Sequence, residues 1–216
     1  MIDLHTHTIF SDGELVPAEM ARRAEVLGYE AIAFTDHVDH SNLDFVVPRI
    51  VSVCQHLSRV GSITLIPGVE VTHVPPGLIH DIVTEARSLG ARIIVVHGET
   101  IVEPVTPGTN RASLLSPIDI LAHPGLITIE EARLAAERSI FLEISTRKGH
   151  SLTNGHVAMM ARESGAQLLI NNDAHAPSDL VSPEQALRIA RGAGMTDLEI
   201  DRMIANAAEV VRKLRV

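Results

Sequence analysis

Short aliphatic runs alternate with helical segments along the whole 216-residue chain, and this alternation constrains the fold more than any other feature. Repetition of strand and helix calls for a parallel sheet with helices packed on it, an α/β fold rather than separate α and β blocks. The pattern predicts seven strands: Ile2 to Leu4, Ala31 to Thr35, Thr64 to Val71, Arg92 to Val96, Ile118 to Ala122, Ile140 to Ser145 and Gln167 to Asn171. Helix starts are marked by Pro17 at a first-turn position and by capping-box spacing in Thr128 with Glu131 and Thr196 with Glu199. Gly28, Gly90 and Gly165 fall where helices should stop. The last helix, Thr196 to Leu214, is expected to pack across the outside of the sheet or barrel. Thr100 to Arg111 reads as the one long irregular loop. Residues 1–216 are expected to form a single domain.

Chemistry collects at the C-terminal ends of these strands. His5 and His7 follow the first strand two residues apart, so both imidazoles share one face of an extended segment. His37 follows the second strand, Glu70 ends the third and His97 the fourth; His123 ends the fifth, and Asp173 and His175 follow the seventh. Groups at the ends of so many strands converge on one point only if the strands close into a barrel, whose working face is the C-terminal one. An open doubly wound sheet would gather them at a single switch point instead. A lone strand-end histidine is ordinarily a hydrogen-bonded residue, but six of the 12 histidines occupy equivalent places, and metal ligation fits that regularity. His40, His56, His73, His80, His150 and His156 lack it and are expected to be solvated or supporting groups.

Composition excludes several classes. The formal charge is -9 and only 2% of residues are aromatic, with no Trp, so duplex DNA, an anionic membrane and a base-stacking platform are all poorly served. A single cysteine, Cys54, cannot form an internal disulfide. The start Met-Ile-Asp-Leu-His has neither a basic nor an apolar leader region, and no apolar run approaches the roughly 20 residues of a membrane span. A cytoplasmic protein is expected.

The ordered set Asp3-Leu4-His5-Thr6-His7, Ser11-Asp12-Gly13, Thr35-Asp36-His37, Gly68-Val69-Glu70, Val96-His97, Ala122-His123-Pro124 and Asp173-Ala174-His175 resembles the PHP (polymerase and histidinol phosphatase) domain family. The resemblance implies a distorted (β/α)7 TIM-like barrel that holds two or three divalent metals and hydrolyses phosphoesters. By motif, His5, His7, Glu70 and Asp173 would hold one metal; Glu70, His97 and His123 a second; Asp12, His37 and His175 a third. Some relatives have histidine in place of Asp12. Imidazole and carboxylate ligands without thiolate suit Zn, Mn or Fe(II). Such ions reverse the local charge of an acidic protein, lower the pKa of a bridging water and hold hydroxide in line with phosphorus.

The sixth strand offers no evident ligand but leads into Arg147, which the strand count puts on the same face as a phosphate clamp. Arg111 is a weaker candidate for that role, and Asp36 and Asp39 are candidates for orienting the ligating imidazoles. Glu70, Asp173 and Arg147 are therefore the expected catalytic residues. The leading expectation is a histidinol-phosphatase-like enzyme for a small phosphomonoester. A phosphoesterase for nucleotides or oligonucleotide ends is the alternative, and a non-catalytic RNA-binding scaffold resembling a ribonuclease P subunit is a third.

Overall fold

A computed structural model describes residues 1–214. Its strands are β1 (Ile2–Asp3), β2 (Ala31–Phe34), β3 (His37–Val38), β4 (Thr64–Val71), β5 (Ile93–His97), β6 (Ile120–Ala122), β7 (Phe141–Ser145) and β8 (Leu168–Asn171). All pairings are parallel, in the order β1-β2-β4-β5-β6-β7-β8. Ala31–Phe34 pairs with Thr64–Pro67, and His37–Val38 pairs further along the same strand with Glu70–Val71. β2 and β3 are thus two pieces of one barrel position, so the seven expected strands become eight by interruption. The break falls at Thr35-Asp36, where the Asp36 carboxylate turns away to accept from the Thr8 and Ser11 amides at 2.7 and 3.1 Å.

The sheet closes almost completely. Beyond the ends of β1 and β8, Thr6 bridges Ala174 in parallel, with the His7 amide donating to Ala174 O at 2.8 Å and the Asp173 amide to His5 O at 2.9 Å. Lower down, a side chain stands in for the missing ladder: the Leu4 amide donates to Asn171 Oδ1 at 2.9 Å. The result is a nearly closed, TIM-like α/β barrel of seven positions.

Helices α1 (Pro17–Val26), α2 (Leu43–Leu57), α3 (Ile79–Ser88), α4 (Thr109–Leu114), α5 (Ile129–Arg138), α6 (Asn154–Ser164), α7 (Pro183–Gly192) and α8 (Asp197–Leu214) complete the chain. Alternation along the strands divides the core. Ile32, Phe34, Ile94, Val96, Leu142 and Ile144 face the helices, whereas Leu4, Ala31, Ala33, Ile66, Ile93, Val95, Ile120 and Leu169 fill the barrel. The second group corrects the expected place of the last helix. Ala207 and Val211 of α8 join the barrel-filling cluster, and Asn206 Nδ2 donates to Leu168 O at 2.9 Å. α8 therefore covers the N-terminal end near the seam between β1 and β8, where an apolar interior and unpaired strand backbone would otherwise meet water. Both expected capping boxes are present, at Thr128 with Glu131 and at Thr196 with Glu199. The expected long loop shortens to residues 98–108 because α4 begins at Thr109. Among the described residues no helix is long and apolar enough to cross a membrane.

Candidate metal centre

All nine predicted ligands come together at the C-terminal end of the barrel. His5 Nε2 lies 3.2 Å from Glu70 Oε1 and 3.6 Å from Asp173 Oδ1, and His7 Nε2 lies 3.1 Å from the same Asp173 oxygen. His123 Nε2 is 3.5 Å from Glu70 Oε1, and the His97 and His123 ring centroids are 4.4 Å apart. Asp12 Oδ1 lies 3.2 Å from His175 Nε2 and 3.5 Å from His37 Nε2. Donor atoms gather within 4.8 Å of one another in the sets His5, His7, Glu70; His5, His123, Asp173; Glu70, His97, His123; and His7, Asp12, His37, His175. These overlap the three motif-based sets, with His7 reaching the third as well.

Local backbone explains how the ligands are aimed. Gly13 allows the Ser11-Asp12-Gly13 turn to fold back on β1, since a Cβ there would fall 2.2 Å from His7 O. His123 and Asp173 have φ of 26° and 52°, a region non-glycine residues rarely adopt, and both carry ligand groups where their strands end.

Buried carboxylates and hydroxyls orient the imidazoles. Glu143, wholly buried in β7, meets His5 Nδ1 at 2.8 Å, while Asn171 Nδ2 and the His123 amide also donate to it. His37 Nδ1 lies 2.6 Å from Thr72 Oγ1, and His97 Nδ1 lies 3.1 Å from Gly98 O, which turns His97 Nε2 into the cavity, where it lies 3.0 Å from Glu103 Oε2. Asp36 and Asp39, candidates for orienting the imidazoles, do not take that role. Asp36 holds the Thr8 to Ser11 loop, and Asp39 accepts from the Ser41 amide at 2.7 Å.

One observation decides whether these residues suit a metal. His5 Nε2, both His7 ring nitrogens, Glu70 Oε1, His123 Nδ1 and Asp173 Oδ1 are buried atoms without a hydrogen bond. Unsatisfied polar atoms are costly and rare in a core, and here they all belong to predicted ligands. Divalent cations would satisfy the carboxylate oxygens and one nitrogen of each imidazole. Burial also pushes His7 down to about 3, helped by neighbouring His37, and lowers His123, so both are neutral imidazoles with lone pairs available. Burial alone would raise Glu70, but His5 and His37 hold its carboxyl well below the usual range. The donor set fits a cluster of divalent ions.

Arg147 reaches the same place. Its Nη1 donates to Asp173 O at 2.8 Å and contacts His175 Nδ1, and its Nε is 3.7 Å from Asp173 Oδ2. Arg111 lies exposed on α4, outside the cavity. That cavity, of about 270 Å³, is lined by Asp12, His37, His97, His123, Arg147, Asp173 and His175, and by four residues to which strand-end spacing gives no role: Thr72, His73, Glu103 and His150. Glu143 was also missed, although a carboxylate inside the apolar run Phe141-Leu142-Glu143-Ile144 is itself a signal of a buried polar task. His40, His56 and His80 are exposed, and His156 binds Ile127 O at 2.7 Å away from the site.

A parallel barrel with imidazole and carboxylate donors gathered at its C-terminal end defines a candidate metal-binding site on a TIM-like α/β fold. Residues 3–95 match the PHP domain, and the chain belongs to that family. It is 50% identical, over 94% of both chains, to an uncharacterized protein of Methanocaldococcus jannaschii. It is 28% identical to a probable phosphatase of Thermoanaerobacter sp., covering 99% of this chain and 95% of the relative. Among solved structures it resembles histidinol phosphate phosphatase from Lactococcus lactis complexed with Zn, L-histidinol and phosphate (TM-score 0.65, 19% identity, 90% of this chain and 94% of that one). It also resembles a chain of archaeal ribonuclease P with mature tRNA (TM-score 0.76, 19% identity, 99% and 91%). At these identities the two structures speak for the fold alone.

Proposed function

We propose that this protein is a metal-dependent phosphoesterase that hydrolyses a small phosphomonoester. The observation that carries this reading is the set of buried, hydrogen-bond-free donor atoms on His5, His7, Glu70, His123 and Asp173. A scaffold that only binds RNA gains nothing from so many unsatisfied groups. Kinship with a probable phosphatase supports the same reading, and the zinc and phosphate named for the histidinol phosphate phosphatase structure suit this donor chemistry.

In this mechanism His5, His7, Glu70 and Asp173 would hold one ion, Glu70, His97 and His123 a second, and Asp12, His37 and His175 a third. When bound, these Zn, Mn or Fe(II) ions supply Lewis-acid charge to the phosphoryl oxygens and acidify the attacking water. Glu70 would act twice, since it belongs to one donor set with His5 and His7 and to another with His97 and His123: its Oε1 is 3.2 Å from His5 Nε2 and 3.5 Å from His123 Nε2. Glu143 keeps His5 Nδ1 occupied so that Nε2 points at the centre. Arg147 binds the phosphate through whichever guanidinium hydrogens Asp173 O and His175 leave unused.

The cavity favours a small polar ester over a nucleic acid chain, because apart from imidazoles no aromatic ring lines it. The partner is accordingly a soluble phosphorylated molecule. A reducing, cytoplasmic setting suits the buried thiol of Cys54. The test is phosphate release from an aryl phosphate and a panel of phosphorylated metabolites and short oligonucleotides, using protein reconstituted with each metal. Chelator-sensitive release from monoesters is expected. No hydrolysis of any ester with Mn, Zn or Fe(II) would refute the reading.

A further inference from the structure

Glu103 is the one acid lining the cavity that no motif assigned. Its Oε2 lies 3.0 Å from His97 Nε2 and 3.4 Å from His73 Nε2, and its Oε1 lies 3.4 Å from His150 Nε2. Three imidazoles from three different segments thus converge on one loop carboxylate. The loop of residues 98–108 is tied at its base and does not hang free. Glu99 Oε1 accepts from the Gly108 and Asn110 amides at 3.0 and 2.9 Å, and Asn110 Nδ2 donates to Pro124 O at 2.9 Å. Thr100 Oγ1 meets His150 Nδ1 at 2.8 Å, and the His150 ring stacks on His123 with centroids 4.0 Å apart. Glu103 is therefore held beside the predicted ligands, with its side chain 37% exposed toward the mouth.

Charge gives this placement a consequence. Asp12 and Asp173 lie within the main donor sets, whereas Glu103 groups only with His73 and His97. Outside those sets and 37% exposed, the Glu103 carboxylate stands as a negative group in the cavity lining, contacted by the imidazoles of His73, His97 and His150. Arg147, the cationic side chain in the lining, is already engaged with the Asp173 carbonyl and His175.

Resting on the phosphomonoesterase reading above, we propose that Glu103 determines substrate charge: converging with His73, His97 and His150, it admits esters with one phosphate and rejects those with a second anionic group near the scissile bond. The disfavoured class comprises bisphosphates, diphosphates and oligonucleotide ends. A carboxylate about 5 Å from an added phosphate disfavours it by about tenfold even at the dielectric constant of water.

The experiment measures kcat/KM for a nucleoside 5′-monophosphate and for the matching 3′,5′-bisphosphate in wild type, Glu103→Gln and Glu103→Lys. Inhibition by phosphate and by pyrophosphate, equilibrium binding of both anions and metal content are measured on the same preparations. The bisphosphate to monophosphate ratio is expected to rise about tenfold in Glu103→Gln and further in Glu103→Lys, with pyrophosphate gaining on phosphate and metal content unchanged. An unchanged ratio would overturn the proposal. So would a loss of metal in Glu103→Gln, which would make Glu103 a ligand of the ion at His97. A wild type inactive on every phosphoester would sink the phosphomonoesterase reading instead, and the relative binding of phosphate and pyrophosphate would still test the role of Glu103.

Discussion

Glu143 Oε1 lies 2.8 Å from His5 Nδ1, both side chains are wholly buried, and this contact fixes which nitrogen of His5 faces the metal centre. The arrangement resembles the carboxylate–histidine pairs that orient metal ligands and raise their basicity. Burial disfavours a charged His5, but Glu143, Glu70 and Asp173 outweigh it and hold the imidazole's pKa well above the ordinary value. Glu143→Gln retains the size and an acceptor oxygen but loses the charge. It is expected to weaken metal binding by about 10- to 100-fold while the fold persists. Chelator competition followed by metal analysis, with circular dichroism on the same samples, checks this.

Arg147 joins β7 to the turn carrying Asp173 and His175. Arg147→Ala is expected to lower kcat/KM on a phosphomonoester by roughly ten- to 150-fold, the loss of one charge-assisted phosphate contact. Metal content should hold, because guanidinium offers no lone pair to a cation. Steady-state kinetics beside elemental analysis separates these effects, and wild-type kinetics would leave Arg147 as a brace for the 173–175 turn.

At the other end of the barrel, the Thr196 amide and hydroxyl donate to Glu199 Oε2 at 2.7 and 2.8 Å, and Arg162 Nε donates to Oε1 at 2.7 Å. Arg162, then Thr196, holds the Glu199 carboxyl down at about 2. A folded pKa below the unfolded one stabilises the protein above about 4.5, and that contribution is lost as pH falls toward 2. Glu199→Gln should therefore lower Tm at pH 7, with the difference from wild type shrinking below pH 4.5. Thr196→Ala should cost about 1 kcal/mol as a lost cap. Thermal melts across pH check both.

Much of this architecture is legible in the residues themselves. Strand runs and caps follow from local periodicity and side-chain reach, so seven strand positions and the capping boxes at Thr128 and Thr196 are recovered. β3 is missed because two residues, His37 and Val38, carry no period, and the break at Asp36 arises from a contact with the distant Thr8 and Ser11. The place of α8 depends on the open seam between β1 and β8, a property of the closed sheet and not of the helix's own sequence. In the site, ligands at strand ends are visible because each repeats the same position in the pattern. Glu103 lies in a loop and His150 at the start of a short 3-10 helix, His150–Thr153, positions with no such rule, and only folding brings them to His97 and Asp173.

The central claim is that the buried donors bind a cluster of divalent ions with Glu70 shared between sites. Elemental analysis of reconstituted wild type, Glu70→Gln and Asp12→Asn tests it most directly. Two or three ions per wild-type chain are expected from the overlapping donor sets, with Glu70→Gln losing more metal than Asp12→Asn because Glu70 belongs to two donor sets and Asp12 to one. A wild type that takes up no Mn, Zn or Fe(II), or equal losses in the two variants, would contradict the account.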